Sequence, residues 1–141
     1  MSSLKYLDYS PFTRTLSDQS HYSQAVRLGD RIECSGQGGW DPETGAIPAD
    51  LPAEIEQAFA NVDACLRSAG GRGWGQVYKV NLYTTELSEA AFTAWAACMR
   101  KWAGEDHRPL LTGVAVAGLG VPGMRVEIEV VAHDPEGAKA G

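Results

Sequence analysis

Met124-Arg125-Val126-Glu127-Ile128-Glu129-Val130-Val131-Ala132-His133 is the stretch on which the reading of the whole chain turns. Val126, Ile128 and Val130 alternate with Arg125, Glu127 and Glu129. A period of two places successive side chains on opposite faces of a sheet, so one face suits a core and the other carries charge. Outward from this strand, Leu110 to Ala117 reads as the strand before it. Val77 to Thr85 reads as another, with Val77, Lys79, Asn81 and Tyr83 alternating against Tyr78, Val80 and Leu82. Tyr22 to Leu28 and Arg31 to Ser35 pair as a hairpin through Gly29-Asp30, and an extra strand near Tyr6 stays open.

Two helices lie between these strands. Asp50 is an N-cap, Pro52 sits in the first turn where a missing N–H costs little, and Gly70-Gly71 ends the helix. Its apolar stripe is Ile55, Ala58, Phe59, Val62, Cys65, Leu66 and Ala69. Ser88 caps a second helix with the stripe Phe92, Trp95, Ala96, Met99 and Trp102, stopped by Gly104. Glu89 near its start and Arg100 and Lys101 near its end suit the helix dipole. Two helices with one stripe each predict an α+β fold with both helices on one face of the sheet. The other face would be a large exposed patch in a monomer, so a homo-oligomer is expected.

Composition narrows the function. The chain has 141 residues, 12 Lys+Arg against 18 Asp+Glu, and a formal charge of −6. That length predicts one domain over 1–141, able to bury a core without a disulfide or metal staple. Hydrophobic residues at 44% and charged residues at 21% are globular, not disordered, values. A net negative charge argues against a general nucleic-acid binder, which needs a basic face. No apolar run reaches a membrane span, and Met1 to Tyr6 lacks the apolar core of a signal peptide, so a cytoplasmic protein is expected. Cys34, Cys65 and Cys98 are odd in number and widely spaced, which predicts reduced thiols.

Few motifs carry chemistry. Gly118-Leu119-Gly120-Val121-Pro122-Gly123 spells GxGxxG but joins two strands, so it reads as a flexible connection and not a dinucleotide loop. His21, His107 and His133 lack metal-ligand spacing, and neither a metal nor a cofactor is expected. Ser35 is either a nucleophile or a hydroxyl satisfying backbone. Glu127 and Glu129 share a strand face, and like charges that close raise each other's proton affinity when water is excluded. Either they form a site with a general base, or they sit on a solvated strand with Arg125 as partner.

Five stretches carry a family resemblance: Tyr22-Ser23-Gln24-Ala25-Val26, Cys34-Ser35-Gly36-Gln37, Asp41-Pro42-Glu43-Thr44-Gly45, Gln57-Ala58-Phe59-Ala60-Asn61-Val62 and Val126-Glu127-Ile128-Glu129-Val130. In this order they resemble the RidA/YjgF (reactive intermediate deaminase) family over a core of about 22–132. The resemblance implies a chorismate-mutase-like (bacillus type) mixed sheet and a homotrimer with clefts between subunits. It also implies a small-molecule substrate and hydrolytic deamination of enamine or imine intermediates. By resemblance Glu127 directs water, while Tyr22, Ser35 and Thr112 line the cleft. Leu111 stands where family deaminases carry the arginine that grips a substrate carboxylate, in Pro109-Leu110-Leu111-Thr112. Arg108 and Arg125 are the nearby cations that could replace it. The alternatives are a non-deaminating metabolite-binding module and, against the charge, an endoribonuclease.

Overall fold

In the computed structural model, which describes residues 4–140, the strand Val126–His133 lies inside a six-stranded sheet. Met1 to Ser3, part of the leader reading, and Gly141, the last residue of the single-domain range, lie outside the described residues. The strands are β1 (Lys5–Leu7), β2 (Ala25–Leu28), β3 (Arg31–Gln37), β4 (Val77–Thr84), β5 (Leu110–Ala115) and β6 (Val126–His133). They are ordered β1-β2-β3-β6-β4-β5, with β4 and β5 parallel and every other pair antiparallel. The helices are α1 (Pro11–Ser20), α2 (Leu51–Ser68), α3 (Glu89–Ala103) and α4 (Pro135–Ala140). A single 3-10 turn, Trp74–Gln76, leads into β4.

The α2 reading holds in full. The Asp50 carboxylate accepts from the Ala53 N–H at 3.0 Å, and Gly70 leaves the helix with φ +89°. All seven stripe residues are buried, each worth roughly 1.5–3 kcal/mol for the larger side chains. Phe59 stacks on Trp74 at 4.8 Å and meets Trp95 of α3 at 5.8 Å. The sheet presents Ile32, Val80, Leu82, Ile128 and Val130 to this layer. The registers Asn81↔Glu129 and Tyr83↔Glu127 put those four residues, with Lys79, on the face without helices.

Four expectations need correction. The buried side of α3 is Ala91, Trp95, Cys98 and Ala103; Phe92 is 59% exposed and Ala96 is exposed too. The helix is rotated toward α2, where Cys98, Lys101 and Trp102 all donate to Glu56, and Phe92 is left over the edge strand β5. Tyr22 precedes β2, in the turn that closes α1. Gly36 and Gln37 continue β3, with a bulge between Cys34 and Gln37 where the ladder to β6 shifts. Arg125 is drawn away from the charged face by an ion pair with Glu54 of α2. The three cysteines are buried and unpaired. No helix among the described residues is long and apolar enough to cross a membrane.

Candidate functional site

The site begins with a helix that hydrophobic periodicity does not announce, because Thr13 is its only buried residue. Ser10 and Thr13 start α1 as a capping box: the Thr13 N–H donates to Ser10 Oγ at 3.2 Å and the Ser10 N–H to Thr13 Oγ1 at 3.1 Å. What fixes α1 against β3 is a buried polar chain. Trp40 Nε1 donates to Tyr9 Oη at 3.1 Å, and Tyr9 Oη donates to Gln37 Oε1 at 2.6 Å. Gln37 Nε2 donates to Gln24 Oε1 at 2.8 Å, and Gln24 Nε2 to Ser17 Oγ at 3.2 Å. Gln24 and Gln37 have no exposure, so each of these bonds answers a group that would otherwise be stranded. Burial pushes the Tyr9 phenol far above its usual range.

This frame holds a cleft of about 260 Å³ between α1, the bulged end of β3 and the start of β6. Leu16 and Ser20 line it from α1, Tyr22 from the following turn, Ser35 from β3, and Glu127 from β6. Trp40 closes one side beside Met124 and the Gly120-Val121 turn. Ser35 donates its hydroxyl to the Ser23 carbonyl at 2.7 Å, which ties β3 to the segment carrying Tyr22. The Ser35 hydroxyl is thus a backbone tie, and no basic side chain among the described residues accepts its proton, which favours the backbone role over the nucleophile.

Glu127 lies directly across Gly36. A Cβ built on Gly36 would come within 2.0 Å of Glu127 Oε1 and 2.4 Å of its Cδ. Only glycine leaves room there for the carboxylate. Burial raises the proton affinity of Glu127 above the ordinary carboxylate range, and the charge of Glu129 raises it further. Glu129 is engaged: Asn81 Nδ2 donates to its Oε1 at 3.1 Å, and the Tyr83 hydroxyl donates to the same oxygen. That bond, with burial behind it, pushes the Tyr83 phenol up to about 12. The Tyr22 phenol is also raised, first by burial and then against a hydrogen bond with Gln24. Glu127 receives no such hydrogen bond from a described residue, so its carboxylate is the free one of the pair.

The cations stand elsewhere. Arg125 Nε donates to Glu54 Oε1 at 2.6 Å and its N–H to Glu54 Oε2 at 2.7 Å, while its Nη2 donates to the Pro48 and Ala49 carbonyls. Glu54 is fully buried, so Arg125 is locked to the start of α2 and is no partner for Glu127. Leu111 registers with Val80 and faces the helix layer, opposite Glu127. It lines a groove of about 290 Å³ with Phe92, Trp95 and Val114, and Arg108 lies beside it at the far end of α3. Thr112 registers with Asn81 on the face shared by Glu127 and is exposed. One chain therefore brings Tyr22, Ser35 and Glu127 together and leaves Leu111 and Thr112 apart from them.

Leu16 and the hydrogen-bonded Tyr9–Gln37–Gln24 chain are missing from the sequence reading, whereas Trp40, next to the glycines that follow Gln37, is expected there as an apolar cleft residue and does line the cleft. Two local signals point to the missing residues: Ser10-Pro11 as a helix start, and the glycine between Ser35 and Gln37.

The sequence pattern of the endoribonuclease L-PSP family matches residues 12–134. A RutC family protein of Pasteurella multocida is 32% identical over 114 residues, spanning 79% of this chain and 85% of that protein. A 2-iminobutanoate/2-iminopropanoate deaminase of Escherichia coli is 37% identical over 70 residues, half of this chain and 54% of the relative. The match thus spans about half the length of that curated deaminase. Among solved structures, RidA from an Antarctic Psychrobacter is 36% identical with a TM-score of 0.71, over 79% of this chain and 87% of that one. TdcF of Escherichia coli with bound serine is 30% identical with a TM-score of 0.71, over 79% and 87%.

Proposed function

The chain belongs to the endoribonuclease L-PSP family, known also as RidA/YjgF, and we propose that it is a small-molecule hydrolase that deaminates imines or enamines in the Glu127 cleft. The observation that carries this reading is the Glu127 carboxylate, folded over Gly36 into a cleft with Tyr22 and Ser35 and held at raised proton affinity. A carboxylate of that kind takes a proton from water as the water oxygen attacks the C=N carbon, and the C=N electron pair moves to nitrogen. It then returns the proton to the amine. Collapse of the carbinolamine forms the carbonyl, breaks the C–N bond and releases ammonia. Net, imine and water become carbonyl compound and ammonia, with Glu127 regenerated.

The finer assembly belongs to the same proposal. Leu110, Leu111, Val114 and Phe92 are exposed along β5 and α3, and Tyr6 is exposed on the open sheet face. Closing these surfaces against copies of the chain, as a chorismate-mutase-like homotrimer, would remove apolar area from water. It would also give Leu111 and Thr112 a route to the Glu127 cleft of a neighbouring copy. A cytoplasmic location and the absence of any metal or cofactor from the reaction are parts of this reading too.

A metabolite-binding module without turnover is the second reading, and the observation favouring it is that no cation lines the cleft among the described residues. The same observation, with a net charge of −6, weighs against RNA cleavage. The test is ammonia release from imines generated in place by amine and amino-acid oxidation, with Glu127→Gln in parallel. The hydrolase reading expects acceleration over the uncatalysed rate that Glu127→Gln reduces by about 10²-fold or more. No acceleration of any imine leaves the binding module standing.

A further inference from the structure

From the charges around the cleft we infer that its substrates are imines without a carboxylate, neutral or protonated, carrying an apolar or aromatic group; the inference rests on the hydrolase reading above. Glu127 is the one charged side chain among the described residues lining the cleft, and Glu129 adds a second negative charge on the same strand face. The nearest cation in sequence, Arg125, is held by buried Glu54 and by two backbone carbonyls. A substrate carboxylate entering here would lose its hydration, meet two like charges and find no counter-ion among the described residues that line the cleft. A protonated imine meets attraction from the same two groups, and water attacks its C=N carbon most readily in that form. Beside the hydroxyls of Ser20, Tyr22 and Ser35, the side chains of Leu16, Trp40, Val121 and Met124 form an apolar side of the lining that offers an aromatic or aliphatic group a dry wall.

The atoms balance without a co-reactant. One iminium ion and one water give one carbonyl compound and one ammonium ion; Glu127 accepts a proton from water, passes it to the amine nitrogen and ends ionised. The class of reaction that must supply such a substrate is two-electron oxidation of a primary amine, in which a hydride leaves the carbon beside nitrogen for a flavin or nicotinamide acceptor on another enzyme. Oxidation of an amino acid supplies the carboxylate-bearing counterpart, which this cleft disfavours.

A matched pair of probes separates the two classes. Oxidation of benzylamine and of phenylglycine gives imines that differ by one carboxylate. Hydrolysis of each is followed as carbonyl appearance above the uncatalysed rate, with the full chain. The expected result is at least a tenfold larger acceleration for the benzylamine-derived imine. Ser20→Arg, at an exposed lining position, and independently Leu16→Arg should narrow or reverse that preference by supplying a cation. Equal or greater acceleration of the phenylglycine-derived imine overturns the inference and leaves the hydrolase reading intact. If Arg108→Ala then removes that acceleration, the groove beside Leu111 is the source of the cation and the inference stays overturned. Acceleration of neither imine refutes the hydrolase reading itself, and the inference with it.

Discussion

Replacing Gly36 with alanine should disable the cleft without unfolding the chain. Gly36 is not among the glycines with positive φ, so its backbone accepts a side chain. The obstacle is Glu127, whose Oε1, Cδ and Cγ would lie 2.0, 2.4 and 2.6 Å from the new Cβ. To restore an ordinary contact of 3.4 Å, the carboxylate must withdraw by about 1.4 Å. A displacement of ~1 Å at a reacting group costs on the order of 10²-fold in rate. Stability should change by no more than about 1 kcal/mol, because Glu127 is half-buried and can swing outward, and alanine lowers the entropy of the unfolded chain.

Three measurements check this. kcat/KM for imine hydrolysis should fall by about 10²-fold while Tm moves by no more than a few degrees. A carboxyl NMR titration should show Glu127 returning toward the ordinary carboxylate range, since displacement relieves the burial that raises it. Adding Glu127→Asp to Gly36→Ala shortens the side chain by one methylene and should recover part of the rate. Wild-type rate and an unchanged Glu127 titration in Gly36→Ala would refute the claim that this glycine positions the carboxylate.

Two further outcomes follow from the charges. In the hydrolase reading a base at Glu127 works only when ionised, so activity should rise with pH through its raised value, placing the acid limb above the ordinary carboxylate range; Glu129→Gln should move that limb down, because it removes the neighbouring negative charge that adds to the effect of burial. Asp134 behaves in the opposite sense: burial opposes its ionisation, but Arg27, at 2.5 Å, Gln76 and the Gly137 N–H outweigh it and hold the carboxyl below its ordinary value of 3.8. Its contribution is present above the unfolded value and is lost as pH falls through the folded one. Urea denaturation of Asp134→Asn should therefore show a deficit of about 3 kcal/mol at neutral pH that shrinks below about pH 4.

The parts of the fold legible in sequence are those where a single element declares its own environment. Every residue of the α2 stripe is buried, and Asp50 and Ser88 cap as their neighbours suggest. Failure comes where a partner decides. The Phe92 stripe of α3 is apolar and periodic, yet Glu56 draws Cys98, Lys101 and Trp102 toward α2 and turns Phe92 outward. The α1 helix is hidden for the converse reason: it is attached by isolated contacts, Gln24 to Ser17 and Phe12 against Trp40 at 5.6 Å, and with one buried residue it shows no apolar stripe for periodicity to detect. Tyr22, Ser35 and Glu127 meet because β3 and β6 are neighbours in the sheet, an adjacency that no spacing along the chain expresses.

Arg125 and Glu127 make the point most sharply. Two residues apart on an alternating stretch, they read as a local ion pair, and such a pair would hold the Glu127 carboxyl at low proton affinity and leave it inert as a base near neutrality. The fold separates them by giving Arg125 a stronger partner. Glu54 has no exposure and would be an uncompensated buried charge without Arg125, whereas Glu127 keeps some contact with solvent. The buried acid therefore takes the cation, because leaving it unpaired costs more than leaving Glu127 unpaired. Glu127 is consequently free, raised in proton affinity and set against an apolar wall, with its electrostatics governed by a carboxylate 73 positions earlier in the chain.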